Sequence, residues 1–245
     1  MFLAEPRSFV RAAAVAALTL GVPGLAQAAI VVASSGPSAA AFQVGRKLPD
    51  NASVTLRTGD TVTILDSHGT RVLRGGGTFA IAPGAAAPDK GSTFAALTMQ
   101  RAASRVRTGA VRAGLGSQPP ASPNLWFVDL TKSGRRCVVA GQPVRLWRLA
   151  TDKAAAFTVA PAATAKPGFT VSFPVGAMVA PWDTAALPLS DGGMYSVAQA
   201  NEPVAKLEFA VLPSQPADPE ALAAALVEKG CMTQLDLLST TLAQP

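Results

Sequence analysis

The sequence predicts a mainly β fold, in which a small all-β module is followed by an antiparallel β-sandwich with a C-terminal helical hairpin. Short segments rich in Val, Thr, Ile and Leu alternate with Gly and Asp turn residues through much of the chain. Large aromatic residues in the second half could fill the interior of a sandwich. Near the C-terminus, Asp218 before Pro219 and a later Gly230 mark the start and end of a helix.

Residues 1–28 have the order of a secretory signal peptide. Two arginines precede an apolar run at 12–20, and the small residues Ala26 and Ala28 fit cleavage before Ala29. The apolar run is shorter than the ~20 residues that a membrane-spanning helix needs. We therefore expect export to the periplasm, cleavage between Ala28 and Ala29, and no membrane span.

A first β module is predicted at 29–82. Turn residues separate its strands at Thr58-Gly59-Asp60 and Ser67-His68-Gly69, where Gly can take the positive φ that a tight turn needs. The run Gly75-Gly76-Gly77 predicts a bulge or a close backbone approach. A phosphate-binding loop is disfavoured there, because no helix start and no Lys-Ser/Thr pair follows. The predicted strands are 30–33, 53–57, 61–66, 70–74 and 78–82.

The segment 53–81 resembles the FecR-type domain of Gram-negative periplasmic proteins. More loosely, the whole chain looks like exported proteobacterial proteins that open with such a domain. FecR itself spans the membrane and has a cytoplasmic part, neither of which is recognisable here. The resemblance thus implies a small all-β periplasmic interaction module and no transmembrane signalling. The residues that carry it are Thr58-Gly59-Asp60-Thr61-Val62, 66–70, Arg71-Val72-Leu73 and 75–79.

A linker with a basic helix is predicted at 83–123. Ala, Pro and Gly dominate its first residues, and Ser92 could begin a helix that runs to about Val106. Four arginines lie between residues 101 and 112 with no acidic residue among them. Such a segment could contact an anionic partner. A solvated charged surface is the alternative. The four are Arg101, Arg105, Arg107 and Arg112.

The second module is predicted at 124–245 and begins with short strands typical of a sandwich or a partly open barrel. If the strand that carries Arg145 and Trp147 lies at an edge, the two side chains share a face suited to a sugar or an anionic ligand. The alternative places Trp147 in the core, with the neighbouring arginines reaching water. We expect Trp182, next to Pro181, to be partly exposed. The predicted strands are 125–131, 136–140, 143–149, 155–160, 169–174, 193–198 and 206–212.

Two helices and a disulfide complete this module. Leucines four residues apart predict one apolar face on each helix, packed against the sandwich, with the second helix beginning near Thr233. Cys137 and Cys231 are the two cysteines of the chain, and in an oxidising compartment such a pair predicts a disulfide that ties the helices to a strand. A redox role is disfavoured, because the cysteines are not spaced as Cys-x-x-Cys.

Residues typical of catalysis are sparse. His68 is the only histidine, which excludes a site with two histidine ligands, and as part of Asp66-Ser67-His68 it cannot form a triad with its chain neighbours. Asp183 and Asp191 could act as a glycosidase-like pair only if folding joined them, and we interpret Asp191-Gly192-Gly193 as a hairpin turn. We expect neither a metal nor another cofactor.

These observations predict an exported, non-catalytic protein that binds a periplasmic protein or an anionic envelope component. The net charge of +6 favours anionic surfaces, and nothing indicates a nucleic-acid module. The alternative is an envelope enzyme that hydrolyses glycan or peptide. A cleft that holds two ionisable side chains within about 3 to 6 Å would favour this alternative.

Overall fold

The computed structural model describes residues 27–49, 51–81, 91–99, 122–162, 168–200, 202 and 204–243. Strands dominate these residues, and two of the helices form a hairpin near the C-terminus, so the predicted mainly β fold with a helical hairpin is confirmed. The helices are α1 (Gly91–Thr98), α2 (Pro219–Glu228) and α3 (Met232–Ala243), and a 3-10 turn covers Ala39–Ala41. The strands are β1 (Gln27–Ser35), β2 (Lys47–Pro49), β3 (Ser53–Leu56), β4 (Thr61–Asp66), β5 (Gly69–Arg74), β6 (Gly77–Ala80), β7 (Phe127–Asp129), β8 (Gly134–Val139), β9 (Arg145–Trp147), β10 (Ala155–Pro161), β11 (Phe169–Phe173), β12 (Val179–Pro181), β13 (Met194–Ala198) and β14 (Ala205–Leu212).

The first strands form two sheets, an antiparallel sheet in the order β2-β1-β4-β5 and the two-stranded sheet β3-β6. The predicted hairpin turn at Ser67-His68-Gly69 joins β4 to β5, with Gly69 at φ 121°. The predicted close approach at the glycine run is also confirmed, because a Cβ on Gly76 would lie 3.3 Å from Thr58 Oγ1.

The later strands form a five-stranded sheet in the order β11-β10-β13-β14-β8 and a three-stranded sheet in the order β12-β9-β7. Apolar side chains from both sheets pack into one core, as a sandwich requires. Most neighbouring strands are antiparallel, but β14 with β8 and β7 with β9 are parallel pairs. Both parallel pairs join strands that are not consecutive in the chain, since a short hairpin cannot connect parallel neighbours.

The two terminal helices lie between the sheets of the two modules. Successive side chains of a strand point to opposite faces, and on β8 Val138 faces the sandwich core whereas Cys137 and Val139 face the helices. On β1, Ile30 and Val32 face the same helices. The hairpin leucines therefore pack on the sandwich, as expected, and also on the first sheet. These leucines are Leu222, Leu226, Leu235, Leu238 and Leu242.

The ends of α2 agree with the sequence analysis. The Asp218 carboxylate accepts a hydrogen bond from the Ala221 N–H at 2.7 Å, and Pro219 is the first helical residue. Gly230, at φ 72°, follows the helix and turns the chain toward α3. α3 begins at Met232, one residue earlier than expected.

The helix predicted from Ser92 is present as α1, which ends at Thr98, whereas residues 100–106 of the prediction lie outside the described residues. The last carbonyls of a helix lack partners within the helix and need donors from elsewhere. Here a segment distant in sequence supplies them, and sequence periodicity could not show this. The bonds run from Leu125 N to Leu97 O, from Trp126 Nε1 to Thr98 O and from Asn124 Nδ2 to Met99 O, each 3.0 Å long.

Candidate functional site

A cavity of about 340 Å³ lies between α3 and the segment from β7 to β8. This volume falls at the lower end of the range of small-molecule sites. Leu125, Phe127 and Leu237 form its apolar wall. The polar lining residues are Ser122, Asp129, Lys132, Arg136, Thr233, Gln234, Asp236 and Thr240.

Arg136 is the most deeply buried charged residue described at this cavity, with 3% of its surface exposed. Its guanidinium donates hydrogen bonds to the Arg135 carbonyl at 3.0 Å, to the Lys132 carbonyl at 3.2 Å and, more weakly, to Thr233 Oγ1 at 3.5 Å. Burial lowers the pKa of Arg136, and the charge of Asp129 opposes that shift. In the part of the chain that the structure describes, no carboxylate oxygen lies within 4.0 Å of the guanidinium.

Asp129 and Lys132 form an ion pair at the cavity, with 3.7 Å between Oδ2 and Nζ. The other carboxylate oxygen of Asp129 accepts hydrogen bonds from the Thr131 N–H at 2.9 Å and from the Thr131 hydroxyl at 2.6 Å. The cavity therefore contains two ionisable groups at the spacing that favours the enzyme alternative. Both groups also have a structural role in the turn between β7 and β8.

Gln234 joins α3 to β8 beneath the cavity. Its side chain accepts the Cys137 N–H at 2.6 Å and donates to the Cys137 carbonyl at 2.9 Å and the Leu125 carbonyl at 3.0 Å. The sequence analysis singled out neither Gln234 nor Arg136. The signal available for Gln234 was a polar residue on the apolar face of a helix, four positions before Leu238.

The predicted disulfide is present between Cys137 and Cys231, with 5.8 Å between the two Cα atoms. It joins β8 to the junction of α2 and α3. Because Arg136 precedes one cysteine and Thr233 lies two residues after the other, the bond also fixes two sides of the cavity.

The ligand face predicted at Arg145 and Trp147 required β9 to lie at the edge of its sheet, and this requirement is not met. β9 is the middle strand of its sheet and not an edge, and Trp147 is only 2% exposed. Pairing places Arg145 beside Phe127 and Trp147 beside Asp129. The Arg145 Nε and Trp147 Nε1 atoms are buried and have no hydrogen-bond partner in the structure.

The alternative is confirmed for Trp147, which lies in the core, but the neighbouring Arg148 does not reach water. This side chain is buried and donates to the carbonyls of Ala177, Lys153 and Pro174 at 2.8 to 3.0 Å. Its guanidinium carbon lies 5.2 Å from the centroid of the Phe173 ring. Arg148 thus connects loops of the sandwich through hydrogen bonds to three of their carbonyl groups.

Trp182 is buried and not partly exposed, contrary to the expectation. Its ring makes edge-to-face contacts with Phe169, Tyr195 and Phe209, at centroid distances of 5.1 to 5.3 Å. Its Nε1 donates to the Leu187 carbonyl at 2.7 Å. The local Pro181 context suggested a loop, whereas distant aromatic residues determine the burial.

The remaining predicted residues do not form a catalytic group where they are described. His68 lies in a turn and its N–H donates to Asp66 Oδ1 at 2.8 Å, while Asp66 also binds Arg71. Asp183 and Asp191 each accept backbone N–H groups, and Asp191 lies in a turn, as expected. The anionic-partner residues Arg101, Arg105, Arg107 and Arg112 lie outside the described residues.

Within the described ranges, no group of three or more His, Cys, Asp or Glu side chains is placed to hold a metal ion. None of the helices that the structure describes is both long enough and apolar enough to cross a membrane. Comparisons of the chain with protein-family models, with curated proteins and with solved structures find no match.

Proposed function

We propose that the protein is exported to the periplasm, where it binds a partner protein or an anionic envelope component without catalysing a reaction. The observation that carries the proposal is the Cys137–Cys231 disulfide, whose two residues are almost fully buried. Such bonds persist in oxidising compartments and are rare in the cytosol. The signal-peptide pattern of residues 1–28 supports the same compartment.

The predicted cleavage before Ala29 is compatible with the first sheet. It would remove Gln27 and Ala28 from β1, whereas the pairing of β1 with β4 begins at Ile30. The β strands up to Ala80 would then serve as the periplasmic interaction module that the resemblance to FecR implies.

The cavity supports binding better than acid–base catalysis. Arg136 keeps its proton at neutral pH and cannot act as a general base, but a buried guanidinium is well suited to bind an anion. The Asp129 carboxylate is occupied by Thr131 and Lys132. The site is therefore better suited to bind a charged ligand than to transfer a proton.

The basic segment is proposed as a second contact with the partner. Its four arginines precede Ser122, which lines the cavity and is the first residue described after them. A positive segment attached at this point would draw an anionic partner toward the cavity, most strongly at low salt.

A periplasmic hydrolase acting on glycan or peptide is the second candidate. The observation that favours it is the cavity pair Asp129 and Lys132, 3.7 Å apart. The same Asp129 carboxylate accepts two hydrogen bonds from Thr131, so it also has a structural role in the turn. Hydrolysis of cell-wall glycan or peptide that is lost in Asp129→Asn would establish the enzyme and contradict the first proposal.

The proposed function is tested by capture of partners from a periplasmic extract at low and high salt. We compare the wild type with the variant in which Arg101, Arg105, Arg107 and Arg112 are replaced by Gln. The matched control replaces four exposed basic residues elsewhere, Lys47, Arg57, Arg74 and Lys153, by Gln and changes the charge equally. We expect a partner retained by the wild type and the control at low salt, and lost from the first variant and at high salt. Identical partners under all conditions would remove the basic segment from the proposal.

A further inference from the structure

We propose that the cavity beside Arg136 binds a small organic anion, whose carboxylate or phosphate group contacts the guanidinium and whose apolar part lies against Leu125, Phe127 and Leu237. This inference rests on the proposed binding function and names the class of ligand.

The first argument is the unbalanced charge of Arg136. A buried charge is costly unless an opposite charge and hydrogen bonds compensate for it. The partners of this guanidinium are two backbone carbonyls and one hydroxyl, all of them neutral. An anion in the cavity would supply the missing charge.

The second argument is the number of donors. An arginine has five N–H groups in a planar fork that matches the two oxygens of a carboxylate or phosphate. Arg136 makes three hydrogen bonds in the described structure, one of them long at 3.5 Å. Two of the five N–H groups therefore have no partner among the described residues and remain for a ligand.

The third argument is the apolar wall. Leu125, Phe127 and Leu237 line the same cavity as the guanidinium, and an inorganic ion would leave the partly exposed Leu237 in contact with water. A ligand that carries a short apolar chain would cover Leu237 and gain hydrophobic free energy. The site therefore favours an amphipathic anion over a free inorganic one.

The two carboxylates that line the cavity, Asp129 and Asp236, do not prevent an anion from binding beside Arg136. Asp129 is paired with Lys132 through one carboxylate oxygen and bound by Thr131 through the other, so both oxygens have partners. Asp236 is exposed at the rim, where water screens its charge. Among the described residues, Arg136 is thus a buried charge that lines a cavity and lacks a close counterion.

The test is isothermal titration calorimetry on the purified, disulfide-bonded protein with four probes. Octanoate and octyl phosphate carry the two head groups on the same chain, octanamide has a neutral head, and inorganic phosphate has no chain. We expect binding of octanoate, octyl phosphate or both, and at least tenfold weaker binding of octanamide and inorganic phosphate. The stronger of the first two identifies the head group.

Two variants test the position of the ligand. Arg136→Gln removes the guanidinium, and Arg135→Gln is its control because it removes an exposed positive charge from the neighbouring residue. We expect Arg136→Gln to weaken binding about 10- to 100-fold, the range for loss of a charged hydrogen bond, and Arg135→Gln to change it less than threefold. If Arg136→Gln does not fold, Thr240→Phe fills the exposed rim with the guanidinium intact, and Met232→Phe on the same helix outside the cavity is its control.

The inference is overturned if neither amphipathic anion binds, or if Thr240→Phe and Arg136→Gln bind them as the wild type does. This failure is distinct from failure of the proposed function, which is judged from compartment and partner capture. A periplasmic protein that captures its partner but binds no probe would lose the ligand assignment alone.

Discussion

Gln234 binds both backbone groups of Cys137, accepting the N–H at 2.6 Å and donating to the carbonyl at 2.9 Å. A single amide side chain thus pairs with a strand residue on the side where β8 has no neighbouring strand. Since Arg136 precedes Cys137, the same contact holds the wall of the cavity against α3. Gln234 is therefore expected to stabilise both the fold and the site.

Replacing Gln234 by Leu should lower the free energy of unfolding by about 2–4 kcal/mol, because three buried backbone groups lose their partner. Urea unfolding followed by tryptophan fluorescence measures this change. Gln142→Leu, at an exposed position, is the control and should stay within about 0.5 kcal/mol of the wild type. Equal stability of the two variants would show that the Gln234 hydrogen bonds contribute little.

Removing the disulfide should have a large effect on stability. The bond closes a loop across a sequence separation of 94 residues, and in the chain-entropy model a loop of this length contributes about 4–5 kcal/mol. We expect the double variant Cys137→Ala and Cys231→Ala to unfold at a much lower urea concentration than the oxidised wild type. Adding dithiothreitol to the wild type should shift its midpoint in the same direction and leave the double variant unchanged. A midpoint unaffected by both treatments would contradict the stabilising role.

Two tryptophans provide a matched comparison of hydrogen bonding. Trp182 Nε1 donates to the Leu187 carbonyl, whereas Trp147 Nε1 is buried without a partner in the structure. Since only the first substitution leaves a carbonyl unpaired, we expect Trp182→Phe to cost about 1–3 kcal/mol more than Trp147→Phe. Urea unfolding followed by circular dichroism measures both, and equal costs would argue against the Trp182 hydrogen bond.

Stability should fall at acid pH in part through Asp60. The Ser38 backbone N–H, at 2.8 Å, is the main cause that lowers the pKa of this buried carboxyl below its ordinary value of 3.8, and the Arg57 N–H adds to it. A lowered pKa contributes stability that is complete above the unfolded value and is lost as the pH falls through the folded value. Asp60→Asn should therefore be less stable than the wild type by a constant amount from pH 5 to 7, and the difference should shrink below about pH 4.

Unfolding curves at pH 7, 5 and 3 measure the Asp60 contribution. The exposed Glu202→Gln variant serves as the control for loss of one acidic side chain and should stay within about 0.5 kcal/mol of the wild type at pH 7. A difference between Asp60→Asn and the wild type that stays constant down to pH 3 would contradict the assigned pKa shift.

Local signals in the sequence determined the elements that were predicted well. The apolar and polar alternation from Thr61 to Asp66, followed by the Ser67-His68-Gly69 turn, marks β4 with the bounds found in the structure. The helix α2 is predicted equally well, because Asp218, Pro219 and Gly230 act within one turn of its ends. The disulfide followed from there being two cysteines and a predicted export signal.

The parts that were missed depend on contacts between distant segments. Trp182 is buried by rings that lie up to 27 residues away in the chain, at Phe209. The order of strands in a sheet, which places β9 in the middle, has no local pattern in a three-residue strand. The cavity joins residues from Ser122 to Thr240, so only the folded chain shows that Arg136 faces it.

The central claim is that the protein works in an oxidising compartment outside the cytosol, and fractionation of Gram-negative cells with mass spectrometry tests it most directly. Periplasmic and cytosolic fractions are treated with an alkylating reagent before any reductant is added. The account predicts a periplasmic chain that begins at Ala29, with Cys137 and Cys231 protected from alkylation until reduction. A cytosolic chain that retains Met1 and has both thiols alkylated without reductant would contradict it.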